Sequence, residues 1–403
     1  MDPSRVPNLW LAVAHSDDLK TGQTRKVEVD GVPVALWRTP MGEVQAISDV
    51  CIHRGASLAH GWTSHGRLVC PYHGFEFEGD GTLAHMPGVT NAARAPPVAG
   101  TGKAGGGGGG GCGARKAPSY LVREEAGWVY LFPDAGRPGA VEQFSTPLSI
   151  PEASSPHFRY VGGEVEIGGH VDACVENMLD LLHISYVHTF GNINNPVPFE
   201  VSYETHGLDE PGSEASATSK VTFRYKSGPK AFSKVVGRSE EVVVTNEFHL
   251  PYRAVIRVYF GKDCLKTIEA TAVPVGEKRT RLLWKLHRNF MLTHPRDEGP
   301  LNKAGDALFR KMMEVTLQED KDIIENVYPE YQRGFMNAKF DKQVLYYRKA
   351  LQSFVDVSAA RTSAQVEDSL QMELLRRISD SRRGQATSPA DRTAIRDLIE
   401  RLE

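Results

Sequence analysis

Two short segments of the chain each carry one cysteine and one histidine, and this pairing constrains the fold more than any other feature. Cys51 and His53 lie in CIHRGASL, and Cys70 and His73 lie in CPYHGF. Two thiolates and two imidazoles can hold a [2Fe–2S] cluster with inequivalent irons, both cysteines on one and both histidines on the other. The alternatives are a tetrahedral zinc site and four incidental core side chains. The C-x-H spacing is unusual for a zinc finger, so the iron–sulfur cluster is favoured.

Short β-type runs broken by glycine and proline surround these segments over residues 8–134, including VEVDGVPVALWRT and GWVYLFPD. Turn residues at such short intervals are typical of a small antiparallel sandwich. A low-complexity insert at about 95–118, with seven consecutive glycines at 105–111, interrupts the region. We expect this insert to be a flexible surface loop, because it cannot offset the entropy cost of being ordered.

The ligand spacing C-x-H-x16-C-x2-H, followed by GFEFEGDGTLAHMPG, resembles that of the Rieske [2Fe–2S] domain. Two further segments, near the two ends of the region, resemble this domain as it occurs in Rieske non-haem iron oxygenases. They are NLWLAVAHSDDL and GWVYLFPD. The resemblance implies a Rieske domain over 8–150 in which Cys51, His53, Cys70 and His73 hold the cluster. The glycine-rich insert departs from the family pattern, but it follows both ligand segments, so we expect ligation to be spared.

A second group of polar residues lies in VDACVENMLDLLHISYVH, which has a helical pattern. Glu176, Asp180 and His183 fall on one helical face, whereas His188 lies about 140° further round an ideal helix. Both histidines can bind one metal only if the helix ends or bulges between them. Two histidines and one carboxylate form the facial triad of non-haem Fe(II) oxygenases. An amphipathic helix with solvated polar residues is the alternative.

The same segment resembles the mononuclear-iron motif of the Rieske oxygenases, acidic-x3-D-x2-H-x4-H. The resemblance implies that His183 and His188 are iron ligands. It also implies that Asp180 bridges a ligand histidine and His73 of a neighbouring subunit, because a carboxylate there would orient the imidazole for electron transfer. Such a bridge requires a head-to-tail ring, for which we expect a homotrimer.

The third ligand must come from a distant part of the chain, and LQEDKDIIENVY offers four carboxylates. In the family, this carboxylate follows a long stretch of sheet and lies in a helix near the end of the domain, within a D-x4-E motif. Asp320, with Glu325 five residues further on, fits that context best, and Asp322 is the next candidate. Without the resemblance, the segment is a charged and solvated helix face.

Long alternating strands such as EEVVVTNEFHL and TRLLWKLHRNF separate the two groups of polar residues, and a long helix is predicted over about 301–326. Helix, sheet and helix in one segment predict an α+β domain with helices on one side of an antiparallel sheet. The predicted fold class is therefore α+β: a small antiparallel β-sandwich, a helix-grip-like catalytic domain over 151–356, and a short polar helical tail over 357–403.

Two C-terminal segments suggest a branch of the family. FDKQVLYYRKAL resembles a segment near the end of chlorophyllide a oxygenase-like proteins of plastids and cyanobacteria, an ordinary closing helix being the alternative. LLRRI followed by SPADR resembles the opening of a plastid-lipid-associated (fibrillin) domain without its lipid-binding barrel, a generic helical tail being the alternative. These resemblances imply a plastid location. The opening MDPSRVPNLW lacks a signal-peptide or transit-peptide pattern, so the cytoplasm is the alternative.

Composition excludes several other classes. The chain has 47 basic and 50 acidic residues with no basic stripe, which argues against a nucleic-acid surface. No apolar run approaches the roughly 18 residues that a membrane span requires. Five cysteines in 403 residues exclude a disulfide scaffold. Cys112, Cys174 and Cys264 have no assigned role, and ordinary buried or surface thiols are expected.

The resemblance implies the terminal oxygenase of a Rieske monooxygenase system, with a [2Fe–2S] cluster and a mononuclear Fe(II) as cofactors. An NAD(P)H-dependent reductase or a ferredoxin would supply electrons. O₂ would then be used to hydroxylate or oxidatively demethylate a ring-containing small molecule such as a tetrapyrrole. A Rieske electron carrier with a non-catalytic second domain is the main alternative. A plastid lipid- or pigment-binding protein, suggested by the tail alone, is the third.

Overall fold

The computed structural model describes residues 9–88, 116–133, 149–208, 216–236, 240–261, 264–328 and 337–356. Within these ranges a small β-rich domain precedes a larger domain in which helices cover one side of an antiparallel sheet. This arrangement confirms the predicted α+β class. Most of the glycine-rich insert and the whole of the tail over 357–403 lie outside the described residues, so the flexible loop and the helical tail stay predictions.

The first domain contains ten short strands within its described part, arranged in three antiparallel sheets. The sheets have the strand orders β1-β10-β9, β2-β3-β4 and β5-β6-β7-β8. The strands are β1 (Leu11–His15), β2 (Thr24–Val29), β3 (Val32–Arg38), β4 (Val44–Ser48), β5 (Trp62–Ser64), β6 (Arg67–Val69), β7 (Glu76–Phe77), β8 (Leu83–His85), β9 (Leu121–Glu125) and β10 (Trp128–Phe132). β10 is buried along its whole length, as its unbroken apolar sequence WVYLF predicts.

The second domain is built on a seven-stranded antiparallel sheet with the order β11-β17-β16-β15-β14-β13-β12. Its strands are β11 (Arg159–Ile167), β12 (Phe199–His206), β13 (Thr218–Lys226), β14 (Glu241–His249), β15 (Arg253–Phe260), β16 (Cys264–Gly276) and β17 (Arg279–Arg288). Strands that are adjacent in sequence from β12 to β17 pair with each other, and β11 returns to the edge beside β17. Successive side chains alternate between the two faces of this sheet.

Helices cover the front face of this sheet. The helices of this domain are α1 (Pro151–Ser154), α2 (Val171–Leu179), α3 (Ile184–Val187), α4 (Ser233–Val236), α5 (Pro300–Ile324) and a further helix, α6, over 342–356. Of these, α1 lies at the back face instead, where Glu152 contacts Arg257 and Thr267. The bounds of α5 confirm the predicted long helix, which begins with a proline in its first turn, where the missing N–H carries no cost. Phe309, Met313 and Leu317 recur on one side of α5 and pack into the core, so Asp320 on the same side is buried as well.

The back face of the sheet packs against the first domain through buried charged residues. These residues, which we name the charged back face, are Arg253, Glu269, Lys285 and His287. The indole N–H of Trp128 in β10 donates a 2.7 Å hydrogen bond to Glu269. The Lys285 ammonium lies 4.2 Å from the centre of the Trp128 ring and donates a hydrogen bond to the Ala126 carbonyl. The two domains are therefore joined by specific polar contacts as well as by apolar packing.

Candidate metal centres

Two loops of the same shape carry the first four candidate ligands. One loop follows β4 and contains Cys51 and His53, and the other follows β6 and contains Cys70 and His73. In the first loop the Gly55 N–H donates a 2.8 Å hydrogen bond to the Cys51 carbonyl. In the second loop the Gly74 N–H donates a 3.0 Å hydrogen bond to the Cys70 carbonyl. These glycines have φ values of 72° and 69°, a conformation that disfavours other residues.

The four side chains divide into a buried pair and an exposed pair. Cys51 and Cys70 are only 2% and 1% exposed, whereas His53 and His73 lie at the surface with ring centres 4.6 Å apart. Burial raises the pKa of the Cys51 thiol to about 11, so a bound cation is needed to hold this sulfur as a thiolate at neutral pH. Two buried sulfurs beside two exposed imidazoles fit a cluster with one inner and one outer iron.

The same four residues do not converge on a single ion. In the part of the chain that the structure describes, only one set of three or more candidate ligands brings its ligand atoms within 4.8 Å of one another, and it belongs to the second domain. A tetrahedral zinc ion would draw four ligand atoms to one point, with bonds of about 2.0–2.3 Å. The geometry therefore gives a single zinc ion no support.

The second centre forms where the chain leaves helix α2. The helix ends at Leu179, and Asp180 adopts an extended conformation with φ −72° and ψ 137°. His183 and His188 then flank the short helix α3. The sequence analysis required the helix to end or bulge if both histidines were to reach one metal, and the structure meets this condition. A single continuous helix through the whole segment, which the pattern also suggested, is wrong.

The three residues that converge are His183, His188 and Asp320. The Nε2 atoms of both histidines lie 3.6 Å from the same oxygen, Oδ1 of Asp320. The two rings are 5.2 Å apart between centres and inclined at 72°. Two imidazole nitrogens and one carboxylate oxygen that face a common point form the donor set of a facial triad, which leaves further coordination positions open.

The protonation behaviour of these residues shows that the site fits a cation. Burial lowers the pKa of both histidines, that of His188 to about 3, and raises the pKa of Asp320 to about 7. Asp320 Oδ1 and the Nδ1 atom of His183 are buried without a hydrogen-bond partner. Unpaired buried polar atoms cost free energy, and a divalent cation would satisfy the Asp320 oxygen as well as the two Nε2 atoms.

Each histidine has its own carboxylate beside its other ring nitrogen. Asp180 lies 3.9 Å from Nδ1 of His183 and accepts a 2.7 Å hydrogen bond from the Leu182 N–H. Glu319 lies 3.0 Å from Nδ1 of His188 and also accepts from the Thr189 N–H at 3.2 Å. The sequence offered Glu319 only as a candidate ligand. The structure instead places it behind a histidine, where it can set the tautomer of the ring.

The remaining carboxylates of the motif regions point elsewhere. Asp322, the second choice for the third ligand, is exposed and accepts a hydrogen bond from the Gln318 amide at 2.7 Å, away from the histidines. Glu325 accepts a 2.7 Å hydrogen bond from the Gly168 N–H at the end of β11. Glu176 accepts two 2.6 Å hydrogen bonds from Arg348 of α6, which ties the closing helix to α2. None of these three residues therefore faces the site.

A cavity of about 450 Å³ opens beside the triad. The front face of the sheet forms one wall, and α5 together with the segment that carries the histidines forms the other. Most of the lining is aliphatic or aromatic, including Ile256, Val258, Phe260, Leu282 and Leu286. A largely apolar cavity with a few polar groups is the usual form of a site for a small molecule.

None of the described helices is both long enough and apolar enough to cross a membrane.

Comparisons with known families identify both domains. The Rieske [2Fe-2S] domain family matches residues 9–97, and the vanillate O-demethylase oxygenase C-terminal domain family matches residues 167–357. The crystal structure of dicamba monooxygenase bound to 3,6-dichlorosalicylic acid superposes with a TM-score of 0.67 at 21% identity, over 88% of this chain and 98% of that one. This superposition establishes the shared fold.

Relatives of known activity match about half of the chain. The oxygenase component of dicamba O-demethylase from Stenotrophomonas maltophilia is 33% identical over 190 residues, 45% of this chain and 48% of that protein. The vanillate O-demethylase oxygenase subunit of a Pseudomonas species is 27% identical, over 45% and 44%. Chlorophyllide a oxygenase of Chlamydomonas reinhardtii is 30% identical, over 45% and 24%. The chain thus spans less than half the length of each of these relatives.

A Rieske domain followed by a domain with a second, mononuclear metal centre defines a class of iron-dependent oxidoreductases, and the chain belongs to that class, the Rieske non-haem iron oxygenases. Within the class, its second domain is of the vanillate O-demethylase oxygenase type. Its cofactors are a [2Fe–2S] cluster and a mononuclear iron. Membership of the chlorophyllide a oxygenase branch and the fibrillin-like character of the tail stay predictions.

Proposed function

We propose that the chain is the terminal oxygenase component of a Rieske monooxygenase system. It would hydroxylate or oxidatively demethylate a ring-containing small molecule, using O₂ and electrons from an NAD(P)H-dependent reductase or a ferredoxin. The observation that carries this proposal is the convergence of His183, His188 and Asp320 on the wall of an apolar cavity. An electron carrier would need neither this triad nor the cavity.

In this proposal each group of residues has a distinct task. Cys51, Cys70, His53 and His73 hold the cluster, and His183, His188 and Asp320 hold the mononuclear iron. When bound, the cluster supplies electrons one at a time and the mononuclear iron supplies the activation of O₂. The exposed His53 and His73 place one edge of the first centre at the protein surface, where a redox partner can approach it. The mostly apolar lining of the cavity disfavours water beside the second centre.

Asp180 is proposed to connect the two centres between neighbouring subunits. Its side chain is 36% exposed beside His183, and the Leu182 N–H holds one of its oxygens, so the other can accept a hydrogen bond from outside the chain. A histidine from the Rieske domain of a neighbouring copy has the chemistry to donate that bond. This arrangement supports the proposed homotrimer, and the mass of the assembly in solution tests it.

The proposed substrates are apolar ring compounds. The demethylases from S. maltophilia and Pseudomonas support an O-demethylation, and the similarity to chlorophyllide a oxygenase supports a tetrapyrrole. The cavity wall of aliphatic and aromatic side chains suits either kind of ring. The resemblances of the C-terminal segments support a plastid location, with the cytoplasm as the alternative. Immunoblots of purified organelles and cytosol from the source cells distinguish the two.

Iron and acid-labile sulfide per chain on anaerobically purified protein, with EPR after dithionite, test the proposed function. We expect about three irons to two sulfides and a Rieske-type signal. The variant His183→Ala should lose about one iron and keep the sulfide and the signal. About two irons to two sulfides in the wild type, unchanged after Fe(II) is added back, would favour the electron carrier.

A further inference from the structure

Lys266 lies on the cavity-facing side of the sheet, near the start of β16. Ile268 and Ala270 follow it at two-residue spacing, and all three line the cavity beside the triad. On the neighbouring strand β15, Val258 is the residue paired with Lys266. Lys266 thus places a positive charge within a wall that is otherwise mostly apolar.

The structure shows no ion pair or hydrogen bond for the Lys266 ammonium within the described part of the chain. The Phe260 ring, with its centre 5.8 Å from the ammonium, is the only partner that the structure shows for this group among the described residues. Burial lowers the pKa of Lys266 to about 8, so the side chain is still mainly protonated at neutral pH. A partly buried cation among apolar side chains, without a carboxylate or hydrogen-bond acceptor, is costly and needs compensation from elsewhere.

Two other lysines of this domain show how a lysine charge can be stabilised. Lys285 on the back face is also buried, but it donates to the Ala126 carbonyl at 2.9 Å and lies over the Trp128 ring. Lys311, at the rim of the same cavity, keeps its side chain 73% exposed and lies 3.5 Å from Glu314. Lys266 is partly buried, none of the described residues accepts a hydrogen bond from it, and it lines the cavity.

We propose that Lys266 binds the carboxylate of the substrate, so that the enzyme acts on acids with an apolar ring rather than on neutral ring compounds. This inference rests on the proposed function, because it assigns an anionic substrate to the same cavity. The triad borders that cavity, and an acid held at Lys266 extends its apolar part along Ile256 and Val258 within reach of the triad. The carboxylate supplies the counter-charge that the protein lacks, and the apolar wall takes up the ring.

Lys266 is also close to the metal-binding residues. Lys266 lines the same cavity as His183, His188 and Asp320. A carboxylate bound at Lys266 therefore lies near the triad without needing to coordinate its metal. Small acids would then be held in one orientation, which favours attack at a single position of the ring.

Calorimetric titration of the anaerobic holoenzyme tests this assignment without turnover. The probes are 4-methoxybenzoate and 6-methoxy-2-naphthoate, each compared with its own primary amide, which has a similar shape and no charge. We expect the wild type to bind at least one acid about 10- to 100-fold more tightly than its amide, the usual range for a charge-assisted hydrogen bond. Lys266→Met should remove this preference, Lys266→Arg should retain part of it, and the rim variant Lys311→Met should retain all of it.

A second measurement separates a binding role from a structural one. Without ligand, Lys266→Met should unfold at the same temperature as the wild type or higher, because it removes a partly buried charge that has no ion-pair partner among the described residues. Lys285→Met should unfold at a lower temperature. The proposal is overturned if neither acid binds the wild type, if acid and amide bind equally, if the preference survives in Lys266→Met, or if that variant is less stable. Acid binding without O₂-dependent turnover would instead refute the proposed function and leave the anion site standing.

Discussion

Glu319 offers the sharpest test of how the mononuclear centre is built. Its two carboxylate oxygens accept from two donors, Nδ1–H of His188 at 3.0 Å and the Thr189 N–H at 3.2 Å. This places the proton of His188 on Nδ1 and leaves Nε2 with a free lone pair towards Asp320. Glu319→Gln keeps the size of the side chain, but an amide has a single acceptor oxygen and cannot satisfy both donors.

The expected loss in metal affinity follows from this geometry. Carboxylates that orient a metal-binding histidine typically contribute 10- to 100-fold to metal affinity, about 1.4 to 2.7 kcal/mol. The side chain of Glu319 is only 17% exposed and that of His188 only 4%, so water is poorly placed to replace the lost acceptor. We therefore expect the effect of Glu319→Gln to lie in the upper half of that range.

Competition titration with Co(II) and a chelator measures the change. The protein is first depleted of mononuclear iron with its Rieske cluster intact, and the cluster absorbance serves as an internal check on folding. Asp322→Asn is the matched control, since it removes a carboxylate from the same turn of α5 that faces away from the histidines. Affinity within about twofold of the wild type in Glu319→Gln, or an equal loss in Asp322→Asn, would refute the reasoning.

Three further changes probe other parts of the molecule. Asp180→Ala should keep the iron and sulfide content but reduce turnover by about 100-fold or more, and normal turnover would defeat the proposed bridge. Cys51→Ser should lose the acid-labile sulfide and the Rieske EPR signal while keeping about one iron per chain, and retention of the signal would contradict its assignment. Burial alone would raise the pKa of Glu269, but His287 and Arg253 lower it to about 2, below its ordinary value of 4.5. Its stabilising contribution is therefore complete above pH 4.5 and is lost as the pH falls towards 2. Glu269→Gln should lower the unfolding free energy by about 3 kcal/mol at pH 7, and chemical denaturation at a series of pH values should show this difference vanish in acid.

The elements with strong periodicity were predictable from the sequence. The predicted helix over 301–326 corresponds to Pro300–Ile324, and the alternating strands between the motifs form the seven-stranded sheet. The choice between Asp320 and Asp322 could also have been made without the family resemblance. Phe309, Met313 and Leu317 recur every four residues, and this spacing directs position 320 inward and position 322 outward.

Other features could not be predicted because they depend on contacts between distant segments. Glu319 and Asp320 are adjacent in a run of charges, and only the position of His188 relative to α5 gives them different roles. Lys266 lies in LKTIEATAVPV, an ordinary alternating strand in which a lysine is expected to face solvent. The helices that cover the front of the sheet enclose it instead.

The charged back face has a consequence for the exchange of domains between relatives. A first domain transplanted from another oxygenase would need an indole at the place of Trp128 and a backbone carbonyl in the position of that of Ala126. Otherwise Glu269 would lose one of its partners and Lys285 its hydrogen-bond acceptor. Charges that lack partners in a buried domain interface strongly destabilise the folded protein. Chimaeras made by cutting between residues 133 and 149 should therefore fold only when these junction residues are transferred together. Each domain of this protein thus supplies hydrogen-bond partners that the other uses.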